Sequence, residues 1–206
     1  MSLKTFVKIG KINNLSDARY CAGMMVDILG FNLQEGTEGY VDPSTFKEIS
    51  DWVAGVSFCG EFVNALPAEI KLATTNYPID FVEVQDVTIL EELSEVDVQI
   101  IFKYLVEDKA SLSQLAAQLE LAAEHAAYII VSSTKPEFSN EIQQKLTEID
   151  LDVPVLRGYD LSVANTPAIA EDEVFGGIEL EGSPEDRPGY KDYGLVMDIL
   201  EVLDED

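Results

Sequence analysis

Thr5-Phe6-Val7-Lys8-Ile9, then Gly10-Lys11-Ile12-Asn13-Asn14, then Leu15 to Met24 follow one another near the start of the chain, and this succession decides the fold. The first stretch is short and β-rich, the second is a polar turn, and the third has helical periodicity. An open doubly wound sheet usually carries a glycine-rich GxGxxG turn after its first strand. The turn here has a single glycine, so it argues against that architecture.

Working outward, the same strand-then-helix unit recurs. Asp27–Phe31 precedes Pro43–Asp51, Gly55–Phe62 precedes Ala68–Thr74, and Phe81–Val84 precedes Val87–Glu92. Val98–Tyr104 leads to Lys109–Glu124, Tyr128–Val131 to Asn140–Ile149, Val153–Leu156 to Val163–Ala170, and Val174–Leu180 to Asp192–Leu203. Eight such units, with no alternating hairpin between them, predict parallel pairing through right-handed crossovers. The expected fold is an α/β (β/α)8 TIM barrel, with residues 1–206 as one domain. Asn14, Asp42 before Pro43, and Ser111 are read as helix-opening caps, while Met1-Ser2-Leu3 is given no structural weight.

The chain has 206 residues, 47% of them hydrophobic, enough for one buried core. Thirteen Lys and Arg against 39 Asp and Glu give a net charge of −26. Such a surface repels phosphate backbones and anionic headgroups, so neither nucleic acid nor membrane is an expected partner. The acids are spread along the chain, which favours a solubility or salt adaptation over a docking face; the last acids of Asp198 to Asp206 are expected to fray. No apolar run reaches membrane-spanning length and no secretory signal is recognisable, so a cytoplasmic location is expected. Cys21 and Cys59 are too few for a disulfide framework, match no metal-ligand spacing, and read as buried thiols. His125 is the only histidine, which rules out a histidine-based triad, and it falls at a helix end far from the strand tips. No metal or cofactor is expected. A small polar molecule is the expected ligand and monomer or homodimer the expected state.

Three segments resemble the phosphoribosylanthranilate isomerase family. Val7-Lys8-Ile9-Gly10-Lys11-Ile12-Asn13-Asn14-Leu15-Ser16-Asp17-Ala18 is similar to its opening V-K-I-C-G-I-T and following D-A. Asp27-Ile28-Leu29-Gly30-Phe31 with Tyr40-Val41-Asp42-Pro43 resembles A-D-x-L-G-F and the S-P-R-Y-V loop. Gly177-Ile178-Glu179-Leu180-Glu181-Gly182 with Pro188-Gly189-Tyr190-Lys191-Asp192 resembles G-V-D-V-S-S-G and P-G-x-K-D, and Gly60-Glu61-Phe62-Val63-Asn64 resembles G-V-F-V-N. The resemblance implies a barrel enzyme of tryptophan biosynthesis that performs an Amadori rearrangement with a cysteine base and an aspartic acid.

The residues that do this work in the family are replaced. Gly10 takes the base position, Ser132-Ser133-Thr134 stand where the acid belongs, and Gly39 stands at the arginine of the substrate loop. The phosphate cradle maps to Arg157-Gly158-Tyr159-Asp160 and Glu179-Leu180-Glu181-Gly182, where Asp160 and Glu181 place negative charge beside the expected phosphate. Arg157 or Lys11 is expected to reverse that sign only if its side chain turns into the pocket.

Strand side chains alternate between barrel interior and helix layer. That parity turns Lys8 inward with Glu179 and Glu181, and pairs Lys8 with Glu179 and Glu83 with Lys103. These pairs read either as mutual neutralisation or as a polar pocket. The sequence therefore predicts Lys8, Glu179 and Glu181 as catalytic candidates, and Lys11, Asn13, Glu83, Lys103, Arg157, Gly158, Asp160 and Gly182 as ligand-binding candidates. Gly10 is read as a missing side chain that enlarges the pocket, and Ser132, Ser133 and Thr134 as caps for the next helix. The favoured function is a barrel that has lost the isomerisation and takes a different small polar ligand. The alternatives are a working isomerase with relocated groups such as Glu181 or Asp160, and an acidic non-enzymatic scaffold.

Overall fold

The computed structural model describes residues 2–182, 185–187, 190–191 and 194–205. Eight parallel strands close into a barrel in the order of the sequence: β1 (Phe6–Gly10), β2 (Ile28–Asn32), β3 (Ser57–Glu61), β4 (Phe81–Val84), β5 (Gln99–Leu105), β6 (Tyr128–Ser132), β7 (Val155–Gly158) and β8 (Gly177–Glu181). β8 returns to β1 with Lys8 opposite Glu179 and Gly10 opposite Glu181, which closes the ring. The (β/α)8 barrel expected from the repeated units is what forms.

The helices between them are α1 (Leu15–Gly23), α2 (Pro43–Ser50), α3 (Pro67–Asn76), α4 (Leu90–Leu93), α5 (Lys109–Ala123), α6 (Ser139–Thr147), α7 (Thr166–Ala170) and α8 (Gly194–Leu203). Asn14 caps α1 by accepting from Asp17 N at 3.0 Å, and Asp42 caps α2 through Ser44 N and Thr45 N, with Pro43 pre-set in the first turn. The cap of α5 is Asp108, three residues before the expected Ser111. Ser111 instead answers Asp108 across the first turn, its backbone N–H donating to Asp108 Oδ1 at 2.8 Å.

Two elements differ from expectation. A short antiparallel ribbon, β9 (Glu185–Arg187) with β10 (Tyr190–Lys191), interrupts the passage from β8 to α8. The chain ends are also tied together: Leu3 bridges Asp204, Lys4 N donates to Leu203 O, and Glu205 N donates to Ser2 O. Leu3 thus has a structural role, and Asp204 and Glu205 are held where fraying was expected. Pro188, Gly189 and Asp192, part of the third resembling segment, lie outside the described residues.

Two apolar cores result from the alternation of strand side chains. The larger lies between strands and helices and includes an edge-to-face group of Phe31, Phe46, Phe58 and Tyr77. The smaller lies inside the barrel and consists of Ile28, Cys59, Phe81, Ile101, Ile130 and Leu156, with Phe6 and Tyr128 stacked at its floor. Two residues further along these strands the inward positions become Lys8, Gly30, Glu61, Glu83, Lys103, Ser132 and Gly158. The barrel interior is therefore apolar toward the N-terminal strand ends and charged toward the C-terminal ends.

Candidate functional site

The charged half of the interior is a single network. Lys8 is fully buried, and its ammonium lies 2.7 Å from Glu61 Oε1, 2.6 Å from Glu83 Oε2 and 3.1 Å from Glu179 Oε1. The Glu83 contact is an ion contact without hydrogen-bond alignment. Lys103 Nζ lies 2.9 Å from the Glu179 carboxylate and 2.6 Å from Glu181 Oε1, but 3.9 Å from Glu83. Lys11 reaches the other oxygen of Glu181 at 2.5 Å, and its backbone N–H donates to Glu61 Oε2 at 3.1 Å. Four carboxylates thus face three ammonium groups.

Burial by itself would lower the affinity of Lys8 for its proton, but Glu61, Glu83 and Glu179 outweigh it and hold the group well above the ordinary lysine range. Lys103 behaves alike: burial opposes the charge, and Glu179, Glu83 and Glu181 more than restore it. Neither amine is a free-base nucleophile near neutral pH. Burial would raise Glu181, yet the charge and hydrogen bond of Lys103, with those of Lys11, pull it down to about 2. Glu181 is consequently ionised at neutral pH and has no proton to donate as a general acid.

The pairings predicted from parity are partly rearranged. Lys8 and Glu179 do meet, whereas Glu83 turns chiefly to Lys8 and Lys103 turns to strand β8, because Lys103 stands two residues beyond the Glu83 level on β5. Glu61 is the member that sequence reading missed. It sits inside a segment that otherwise resembles a strand-three motif, and the signal that finds it is its shared inward parity with Cys59.

Glu61 also changes the meaning of Gly10. A Cβ on Gly10 would stand 2.7 Å from Glu61 Oε1, and one on Gly30 would stand 2.7 Å from Glu61 Cδ. The space released by the missing side chain is occupied by a carboxylate, so Gly10 does not enlarge an open pocket. A Cβ on Gly158 would likewise meet Glu179 Oε2 at 3.0 Å.

Other predicted groups lie elsewhere. Arg157 alternates outward from Gly158 into the helix layer, where it stacks over Tyr159 and Phe175 and bonds Tyr159 O and Gln143 Oε1. It therefore cannot reverse the charge of the pocket. Asp160, half exposed, faces Arg157 at 3.6 Å instead of the strand tips. Asn13 accepts from Asn14 at the start of α1. The Gly182 N–H donates to Gly10 O at 3.1 Å, which uses it in closing β8 onto β1. Ser132 Oγ donates to Gly158 O and Ser133 Oγ to Val106 O, so these hydroxyls join strand tips and do not cap α6. Cys59 is buried in the inner apolar core, and burial pushes its thiol well up, which keeps it from serving as a relocated base.

The carboxylate oxygens of Glu61, Glu83 and Glu179 lie within 4.8 Å of one another, a spacing that could hold a metal ion. Lys8 Nζ is in contact with all three, so a metal would have to displace that ammonium. Among the described residues, no helix is long and apolar enough to cross a membrane.

Comparison with solved structures matches the barrel along almost its entire length. A structure of monomers generated from the dimeric phosphoribosylanthranilate isomerase of Thermotoga maritima superposes with a TM-score of 0.75 at 18% identity, covering 97% of this chain and 98% of that one. This chain has the fold of the phosphoribosylanthranilate isomerases. The isomerase of Thermus thermophilus gives a TM-score of 0.73 at 17% identity over 96% of this chain and 98% of its own. A phosphoribosylanthranilate isomerase in complex with reduced 1-(o-carboxyphenylamino)-1-deoxyribulose 5-phosphate gives 0.74 at 18% identity, with 97% and 98% covered. No family model and no curated protein matches the sequence.

Proposed function

We propose that this chain is a divergent phosphoribosylanthranilate isomerase-like barrel that has lost the Amadori isomerisation and binds or converts a different small polar ligand at the charged end of the barrel. The observation that carries the reading is the Glu61 carboxylate over Gly10. It takes the volume that the resemblance assigns to the proton-moving thiol, and Lys8 holds it there at 2.7 Å.

The phosphate end of the site supports the same reading. A ligand such as that bound in the isomerase complex carries a phosphate. Here Glu181 is ionised beside the corresponding strand tip, the Gly182 N–H is engaged, and Arg157 points away. Glu181 already engages the ammonium groups of Lys103 and Lys11, at 2.6 and 2.5 Å, so a phosphate at this strand tip would have to compete with that carboxylate for both cations.

Expression in a tryptophan-requiring strain that lacks the isomerase tests the proposal. The expected outcome is no growth without tryptophan although the protein is folded and abundant. Growth would overturn the reading in favour of an isomerase with relocated acid and base groups. Monomer or homodimer is the expected assembly, to be read from elution against the 22.7 kDa chain mass.

A further inference from the structure

The Glu61 carboxylate lies in a cradle that two strands leave open by carrying no side chain. Gly10 and Gly30 form its walls, since a Cβ on either would collide with the carboxylate. Its donors are the Lys8 ammonium, at 2.7 Å from Oε1, and the Lys11 backbone N–H, at 3.1 Å from Oε2. Lys11 presents that N–H from a left-handed backbone conformation, φ 57°, which is unusual for a residue with a side chain. Walls without side chains, a buried cation and a directed backbone donor together make a site shaped for a planar carboxylate.

We propose that this cradle binds the carboxylate of a small ligand and that Glu61 is its tethered occupant, displaced when the ligand enters. The inference rests on the reading of the charged end as a small-molecule site and names the ligand's anchoring group. Charge decides among ligand classes. A monocarboxylate replacing Glu61 leaves the balance around Lys8 unchanged, a phosphate dianion adds a negative charge beside Glu83 and Glu179, and an uncharged sugar leaves the ammonium with less compensation. Glu61 is also the member placed to leave. Its side chain is 12% exposed, while those of Lys8, Glu83 and Glu179 are 0%, 5% and 1% exposed.

A tethered group competes at an effective concentration in the millimolar range or higher. Acetate alone is therefore a weak competitor in the intact protein, and a physiological ligand needs contacts beyond its carboxylate. The Glu61→Gly variant removes the competitor. Titrated with acetate, and with chloride at matched ionic strength as control, it is expected to show saturable binding by calorimetry and a rise in unfolding midpoint of about 5 °C. The affinity is expected to exceed that of the unmodified protein by at least about tenfold. Adding Gly30→Ala puts a methyl group where the carboxylate sits and is expected to abolish the response.

The proposal is overturned if folded Glu61→Gly responds to acetate no more than to chloride, or if the Glu61→Gly/Gly30→Ala protein binds acetate equally well. If Glu61→Gly is unfolded in chloride, the titration becomes a refolding experiment. Recovery of the native circular dichroism with acetate then supports the site, and equal failure in both salts overturns it. Isomerase activity would sink the proposed function while leaving this binding measurement intact, so the two failures are distinguishable.

Discussion

Glu61 and Lys8 stand on strands separated by a third, yet meet at 2.7 Å because Gly30 on the intervening strand has no side chain to keep them apart. The contact joins β1 to β3 across β2 inside the barrel and covers the tip of β1.

Replacing Lys8 with Met leaves Glu61, Glu83 and Glu179 facing one another without their shared cation. The expected loss is about 3–5 kcal/mol in urea unfolding, the usual cost of breaking a buried ion pair from one side. The folded pKa of Lys8 is raised, so its stabilisation is fully present below the unfolded lysine value of about 10.4 and is lost only as pH rises through the folded value. Titration of Lys8 itself should therefore contribute no change to the stability of the unmodified protein between about pH 6 and 9.

Gly30→Ala is expected to cost about 1–3 kcal/mol, because the added methyl group must push the Glu61 carboxylate from Lys8. In a Glu61→Ala background the same substitution should cost less than about 1 kcal/mol, giving a double-mutant coupling within the range for residues in contact. Equal costs in both backgrounds, measured by denaturant midpoints, would mean that the glycine serves the strand and not the carboxylate.

The Glu181→Gln variant tests the opposite limb of the pH profile. The folded pKa of Glu181, about 2, lies below its unfolded value near 4.3, so its stabilisation is present above about pH 4.3 and is lost as pH falls through 2. The gap in urea midpoint between the two proteins should be constant from about pH 5 to 8 and close progressively below about pH 4. A gap that persists unchanged in acid would contradict the ion pairs drawn to Lys103 and Lys11.

The eight-unit barrel was legible from the sequence because each strand and helix announces itself locally, through short β-rich runs, helical periodicity and caps such as Asn14 and Asp42. The pairing of Lys8 with Glu179 was legible too, since inward parity on adjacent strands needs no coordinates. Glu61 was not: its partner is two strands away, and only the closed geometry shows that Gly30 lets them meet. The glycines misled for a related reason. Gly10 reads in sequence as a lost side chain, whereas its role is to leave volume for an atom contributed 51 residues later, by Glu61. Arg157 was misplaced because a single step in strand register exchanges the barrel interior for the helix layer.

The measurement closest to the central claim is turnover itself: purified, folded protein incubated with phosphoribosylanthranilate, with the rearranged product quantified over time. Product formation no faster than in the protein-free control is the expected result. A kcat/KM on the order of 10⁴ M⁻¹s⁻¹ or more, typical of a competent enzyme, would contradict it.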